Sequence, residues 1–176
     1  MFRILLFALL IVCVGSVERI RAQDVNEKAR ELVAALDKTK YKKKEKKDVR
    51  IEIYVDVKYE PVIKNNRSEY SGLYQSEEDD HSLDLRVASD GSVTGSGQDS
   101  GKTFSLKDAQ IEGALLTATK VYEDGQTEKL EAVFSTRTVS QGRNPSEIAT
   151  TDSRYGLGFI QTHGEWTNRV FMSSRR

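Results

Sequence analysis

An all-β chain is expected here, an eight-stranded antiparallel up-and-down barrel preceded by an N-terminal helix and one extra strand. Three features point to it. From Val49 to Tyr59 apolar and polar residues alternate, the two-residue period of a half-buried strand. From Tyr70 onward, further strand-like stretches are punctuated by turn residues, with Asp90-Gly91 and Asp124-Gly125 as strong two-residue hairpin signals, since Gly and Asp both tolerate the positive φ such a turn needs. Most connections are tight, which favours a meander over a sandwich with long Greek-key crossings. Eight twisted strands joined in this way remove their edges by closing on themselves.

The first residues belong to export rather than to the fold. Phe2-Arg3 gives a positive start, and Ile4 to Val14 is an unbroken apolar run of eleven residues. As a helix that run spans roughly 16 Å, about half a hydrocarbon core, too short for a stable anchor. A charged start, a short apolar stretch and small residues beyond it describe a secretory signal over 1–22, cut after Ala22 or after Ser16. The protein is therefore expected to be secreted or periplasmic, with no transmembrane segment after cleavage. Cys13 is the one cysteine of the chain and lies inside the signal. The mature chain then has no disulfide, thiolate metal site or thiol catalysis, and its core must hold it together.

A helix follows from Asp24 to about Lys38. Asp24 caps it, Glu27 completes a capping box, and Ala29, Leu32, Val33 and Leu36 form one apolar stripe. Lys38 to Lys47 holds seven lysines and one glutamate with no apolar period, and reads as a solvated spacer. The helix and spacer fill 23–47, and the β domain fills 48–176. Pro61 ends the extra strand. The eight strands expected after it are Tyr70–Ser76, Ser82–Ser89, Ser92–Gln98, Lys102–Ile111, Ala114–Tyr122, Thr127–Thr138, Arg154–Thr162 and Trp166–Ser173. Ser100-Gly101, Glu112-Gly113 and His163-Gly164 are weaker hairpin signals. Val139 to Ser153 is expected to be a long mobile loop.

Formal net charge is zero, so no whole-chain field points to nucleic acid. Gly97 to Thr103 looks like a phosphate loop, but the spacing is wrong and a strand follows instead of a helix, so a hairpin tip is expected. Glu77-Glu78-Asp79-Asp80-His81 is the densest acidic cluster. Adjacent residues cannot all face one ion, so it reads as a solvated turn, and surface position accounts for His81 and His163. Asn66-Arg67-Ser68 is a glycosylation triplet in a polar loop. Neither Gly-x-Ser-x-Gly nor His-Glu-x-x-His occurs, and no catalytic, cofactor or metal residues are assigned.

Gly72-Leu73-Tyr74 opens the eight-strand region. It resembles the Gly-x-Trp on the first strand of the calycin barrels, the lipocalins and avidins, with Tyr in place of Trp. Arg169 is the position similar to the basic residue that covers the aromatic ring in that family. The resemblance runs from about Tyr70 to Ser173 and implies a barrel that binds a small apolar ligand. It marks Gly72, Tyr74 and Arg169 as structural positions. Biotin-type sites carry several tryptophans, whereas this chain has Trp166 alone.

The expected function is a secreted, non-catalytic binding or interaction module. Its partner would be a protein, or a small apolar ligand held in the barrel or at its mouth. A second reading is an envelope-associated structural protein with a packed barrel, whose Lys42, Lys43, Lys44, Lys46 and Lys47 contact an anionic surface. A third is an enzyme of unknown class. Leu130, Ala132, Phe134 and Thr136 share one inward face, with Leu116 and Ala118 on the neighbouring strand, and Tyr155, Leu157 and Phe159 share another; their sizes are mixed, so an open and a filled barrel both remain compatible with them.

Overall fold

The structure is a computed structural model that describes residues 24–34, 38–46, 49–76, 80–143, 145–162, 166–167 and 171–175. A helix, α1, occupies 24–34. The strands are β1 (Lys38–Lys46), β2 (Val49–Pro61), β3 (Gly72–Ser76), β4 (His81–Val87), β5 (Val93–Asp99), β6 (Lys102–Glu112), β7 (Leu115–Tyr122), β8 (Thr127–Gly142), β9 (Ala149–Thr162), β10 (Trp166–Thr167) and β11 (Phe171–Arg175). All are members of one antiparallel sheet, in the order β1-β2-β8-β7-β6-β5-β4-β3-β11-β9-β10, with a further pairing of β8 to β9. The mostly antiparallel β architecture expected from the alternation is therefore present. The signal over 1–22, Lys47, His163-Gly164 and Arg169 lie outside the described residues.

The hairpins settle how the turn residues work. Ser100 and Gly101 both have positive φ, +50° and +82°, so the weaker signal makes the two-residue turn. At Asp90-Gly91 and Asp124-Gly125 only the glycine enters the left-handed region. The two loops are alike. The Gly91 N–H donates to the Ala88 carbonyl at 2.9 Å, and the Gly125 N–H to the Tyr122 carbonyl at 3.0 Å. Each aspartate carboxylate accepts from the backbone N–H two residues on, Ser92 at 2.9 Å and Gln126 at 3.0 Å. The two-residue turns expected at these positions are therefore three-residue loops, in which aspartate contributes an acceptor rather than a positive φ. Those hydrogen bonds also hold both carboxyls below the ordinary aspartate range.

Four expectations are corrected. Helix α1 is described only over 24–34, and Lys38 already belongs to β1. The lysine run is no spacer there. Lys38 to Lys46 pair residue for residue with Val57 to Val49. A charged strand is tolerated at a sheet edge, where it needs one partner and discourages unwanted ones. The long loop shrinks, because β8 continues to Gly142 and β9 begins at Ala149. Along that stretch β8 is paired on both sides, with β2 over 135–142 and with β9 over 130–141. The last strand is divided into β10 and β11, whose registers against β9 differ by one residue.

Phe134 is where β8 changes neighbours. Its N–H donates to the Ala114 carbonyl and its carbonyl accepts from the Val62 N–H, both at 2.8 Å. One packed face of the sheet gathers Leu83, Leu85, Phe104, Leu116, Leu130, Phe134 and Leu157 with Tyr70 and Tyr74. Phe134 is its hub, with ring centroids 4.2 Å from Tyr70, 6.0 Å from Tyr74 and 6.5 Å from Tyr155. The opposite face carries α1, whose Ala29, Leu32 and Val33 pack on Ala114, Leu115 and Val133, with Tyr59 alongside. Three residues of the apolar stripe read from sequence thus form the docking surface, and the fourth, Leu36, lies outside the described residues.

Tyr70 closes one end of the core. Its hydroxyl accepts from the Lys64 N–H at 2.7 Å and donates to the Gly113 carbonyl at 2.8 Å. Tyr70→Phe should leave both backbone groups unpaired and cost about 1–3 kcal/mol, read as a lowered urea midpoint at unchanged slope.

Candidate functional site

At the opposite end of the packed face the inward positions turn from apolar to charged. Strand alternation carries the series Leu85, Leu83 to His81 on β4. It likewise carries Leu116, Ala118 to Lys120 and Tyr122 on β7, and Ala132, Leu130 to Glu128 on β8. Asp99 ends β5 directly opposite His81, and Glu128 stands opposite Lys120. Five polar side chains therefore meet where four strands begin or end.

The geometry is tight. Lys120 Nζ donates to Asp99 Oδ2 at 2.8 Å and lies 3.9 Å from Glu128 Oε2. To reach Asp99 it passes over the Phe104 ring, 5.0 Å from the centroid. The Tyr122 hydroxyl lies 3.0 Å from Asp99 Oδ2 and 2.8 Å from Glu128 Oε2. His81 Nε2 is 2.5 Å from Asp99 Oδ1. The Lys120 side chain is only 4% exposed, and those of Asp99 and Glu128 are 11% and 12% exposed.

Burial alone would raise the Asp99 carboxyl. The hydrogen bond and charge of Lys120, the Tyr122 hydroxyl and the charge of His81 outweigh it, and the carboxyl sits below its ordinary range. Burial pushes Tyr122 upward, and so do its hydrogen bonds to Glu128 and Asp99, which favour the protonated phenol. Tyr122 remains a donor at any physiological pH. Both carboxylate oxygens of Asp99 are engaged and Lys120 is shared between two acids. The cluster ties the ends of four strands together through buried charged groups. Among the described residues, no group of three or more His, Cys, Asp or Glu could hold a metal ion.

Sequence reasoning missed this cluster and treated His81 as a surface residue. His81 is instead 18% exposed and bonded to Asp99, because it opens β4 on the packed face. The signal was available: continuing the Leu116, Ala118 face by two steps reaches Lys120. Asp80 is exposed, and the rest of the acidic cluster, Glu77 to Asp79, lies outside the described residues.

Gly72 opens β3 and Tyr74 is fully buried on it, its hydroxyl donating to the Tyr70 carbonyl at 2.6 Å. Burial lifts that phenol to about 12. Lys42, Lys43, Lys44 and Lys46 lie on β1, and its pairing separates them: Lys42, Lys44 and Lys46 share one face, and Lys43 lies on the other. The phosphate-loop lookalike is the β5–β6 hairpin, as expected from its spacing. Asn66 is exposed and caps a 3-10 turn, its side chain accepting from the Ser68 N–H at 3.1 Å. An open depression of about 570 Å³ lies over β4–β7, lined by Ser82, Ser96, Thr103 and Ser105 together with Phe104, Val121 and Tyr122. No helix of the described residues is long and apolar enough to cross a membrane. No family model, curated protein or solved structure matches the chain.

Proposed function

We propose that this is an exported, non-catalytic interaction module that works through its outer surface. Its frame is an eight-stranded barrel of β3 to β9 and β11. The β8–β9 pairing supports the barrel, since β9 also pairs with β11 and β11 with β3. An eight-stranded barrel has an interior just wide enough for side chains to fill it or for one small ligand. The observation that carries the reading is the filling: Tyr70, Tyr74, Leu83, Leu85, Leu116, Leu130, Phe134 and Leu157 are all at most 1% exposed and form one cluster. Such a core leaves the interior a structural role.

The exported protein should have lost its N-terminal apolar run and should give no saturable one-to-one binding of long-chain fatty acids or apolar fluorescent probes. Fluorescence titration after N-terminal sequencing reads both. Saturable binding that Leu130→Trp blocks would place the ligand inside and overturn the filled-interior reading, and an intact Met1 terminus would overturn export.

A further inference from the structure

Strand pairing gives the lysine run a geometry that a spacer lacks. Lys38, Lys40, Lys42, Lys44 and Lys46 are spaced by two along β1, so they share one face. Their row is about 27 Å long at 3.4 Å per residue. Directly opposed residues of an antiparallel pair lie on the same face. The five partners are Val57, Val55, Ile53, Ile51 and Val49, the apolar row of β2. One face of this ribbon thus combines five cations with five aliphatic residues and has no acid at any paired position. The other face pairs Thr39 with Asp56, Tyr41 with Tyr54, Lys43 with Glu52 and Glu45 with Arg50, a mixture of both signs.

We propose that the β1–β2 face bearing the lysine row docks on an anionic lipid bilayer. This rests on the reading of the protein as an exported module acting through its surface. An acidic polysaccharide or peptide would be satisfied by the lysines alone and gives no use to the aliphatic row. A bilayer surface uses both, since lysines meet anionic headgroups while apolar side chains enter the acyl boundary. Ile53, Val55 and Val57 are half-buried. The next member of the row, Tyr59, packs beside α1, so α1 bounds the docking face at the Tyr59 end of the row. The β1 edge is the outermost strand of the sheet order, placed where a flat surface can approach it.

The test is co-sedimentation of the exported protein with vesicles of phosphatidylcholine alone or mixed with phosphatidylglycerol. Retention is expected on the mixed vesicles and should weaken as salt is raised. At low salt Lys42→Gln should lower the partition coefficient about fivefold, as should Lys44→Gln, the effect of one lysine at an anionic surface. Lys43→Gln, one residue away on the opposite face, should lower it far less. Ile53→Ser with Val55→Ser should weaken retention even at high salt, where the lysines are screened, with circular dichroism confirming the fold. Equal losses for Lys42→Gln and Lys43→Gln would overturn the docked face, because an unstructured basic tail cannot distinguish neighbours. Equal retention on neutral vesicles, or undiminished high-salt retention of the Ile53/Val55 variant, would overturn it too. The apolar-probe titration does not involve β1, so failure of the interior reading and failure of this one are separable.

Discussion

Gly97→Val should unfold the protein. Gly97 is on β5 opposite Phe104 of β6 and Leu83 of β4. A Cβ at Gly97 would lie 2.0 Å from the Ser82 carbonyl oxygen and 2.7 Å from Phe104 Cζ. The carbonyl belongs to the β4–β5 strand pair, and Phe104 is only 5% exposed, packed in the core. Neither can withdraw without breaking a strand pair or opening the core. Gly95 repeats the pattern, its Cβ position 2.9 Å from Leu106 Cδ1. Strand β5 keeps side chains off its inner face here because β6 lays Phe104 and Leu106 across it. Overpacking of this kind costs about 3 kcal/mol or more, a large part of a domain's stability. Gly101→Ala is the matched comparison. Nothing lies within 4 Å of a Cβ there, and only the positive φ of 82° resists it, so about 1 kcal/mol is expected. Thermal unfolding by circular dichroism measures both. A cooperative transition of Gly97→Val at the parent temperature would contradict the packing described.

Lys120→Met should cost about 3–5 kcal/mol near neutral pH, because it leaves two shielded carboxylates without their shared cation. Methionine fills similar volume, so the loss reports charge rather than a cavity. The pH dependence gives the stricter test. In the parent the Asp99 carboxyl is held below its ordinary range. Its contribution is present above the unfolded value of about 3.9 and is lost as pH falls through the lower folded value. Without Lys120 its hydrogen bond and charge no longer lower the carboxyl, so the folded value is raised relative to the parent. The variant is then penalised most above that raised value and relieved as acid protonates the group. The stability gap between parent and variant should narrow from pH 7 towards about pH 4. Urea unfolding across that range would show it, and a gap constant with pH would mean the carboxylates do not need the lysine.

Much of the fold was legible because strand alternation and turn chemistry are local. The alternation over Val49–Tyr59 marks β2, which runs Val49–Pro61, and the Leu130, Ala132, Phe134 face is buried as its spacing requires. The stripe of Ala29, Leu32 and Val33 docks as read. The lysine strand was not legible. Its residues have low strand propensity and no apolar period, and they are ordered by an edge that β2 offers. The charged cluster was half legible. Lys120 and Glu128 fall on faces already identified as inward, but a charged residue on such a face is ordinarily read as the end of the core.

What the residues determined by themselves was local: an apolar run of signal length at the N-terminus, a strand period, hairpin turns and the inward and outward faces of each strand. These follow from backbone geometry within a few residues. What only the tertiary structure decided was long-range. Asp99 and Lys120 are 21 residues apart and bond because β6 brings β5 and β7 into reach. The extension of β8 and β9 into the expected loop depends on β2, more than 70 residues earlier, pairing along β8. The lysine row shares a face with the aliphatic row because the register opposes Lys42 to Ile53. A shift of that register by one residue would place the lysines opposite Arg50, Glu52, Tyr54 and Asp56, and such a choice is made by pairing energies between strands rather than by either strand alone.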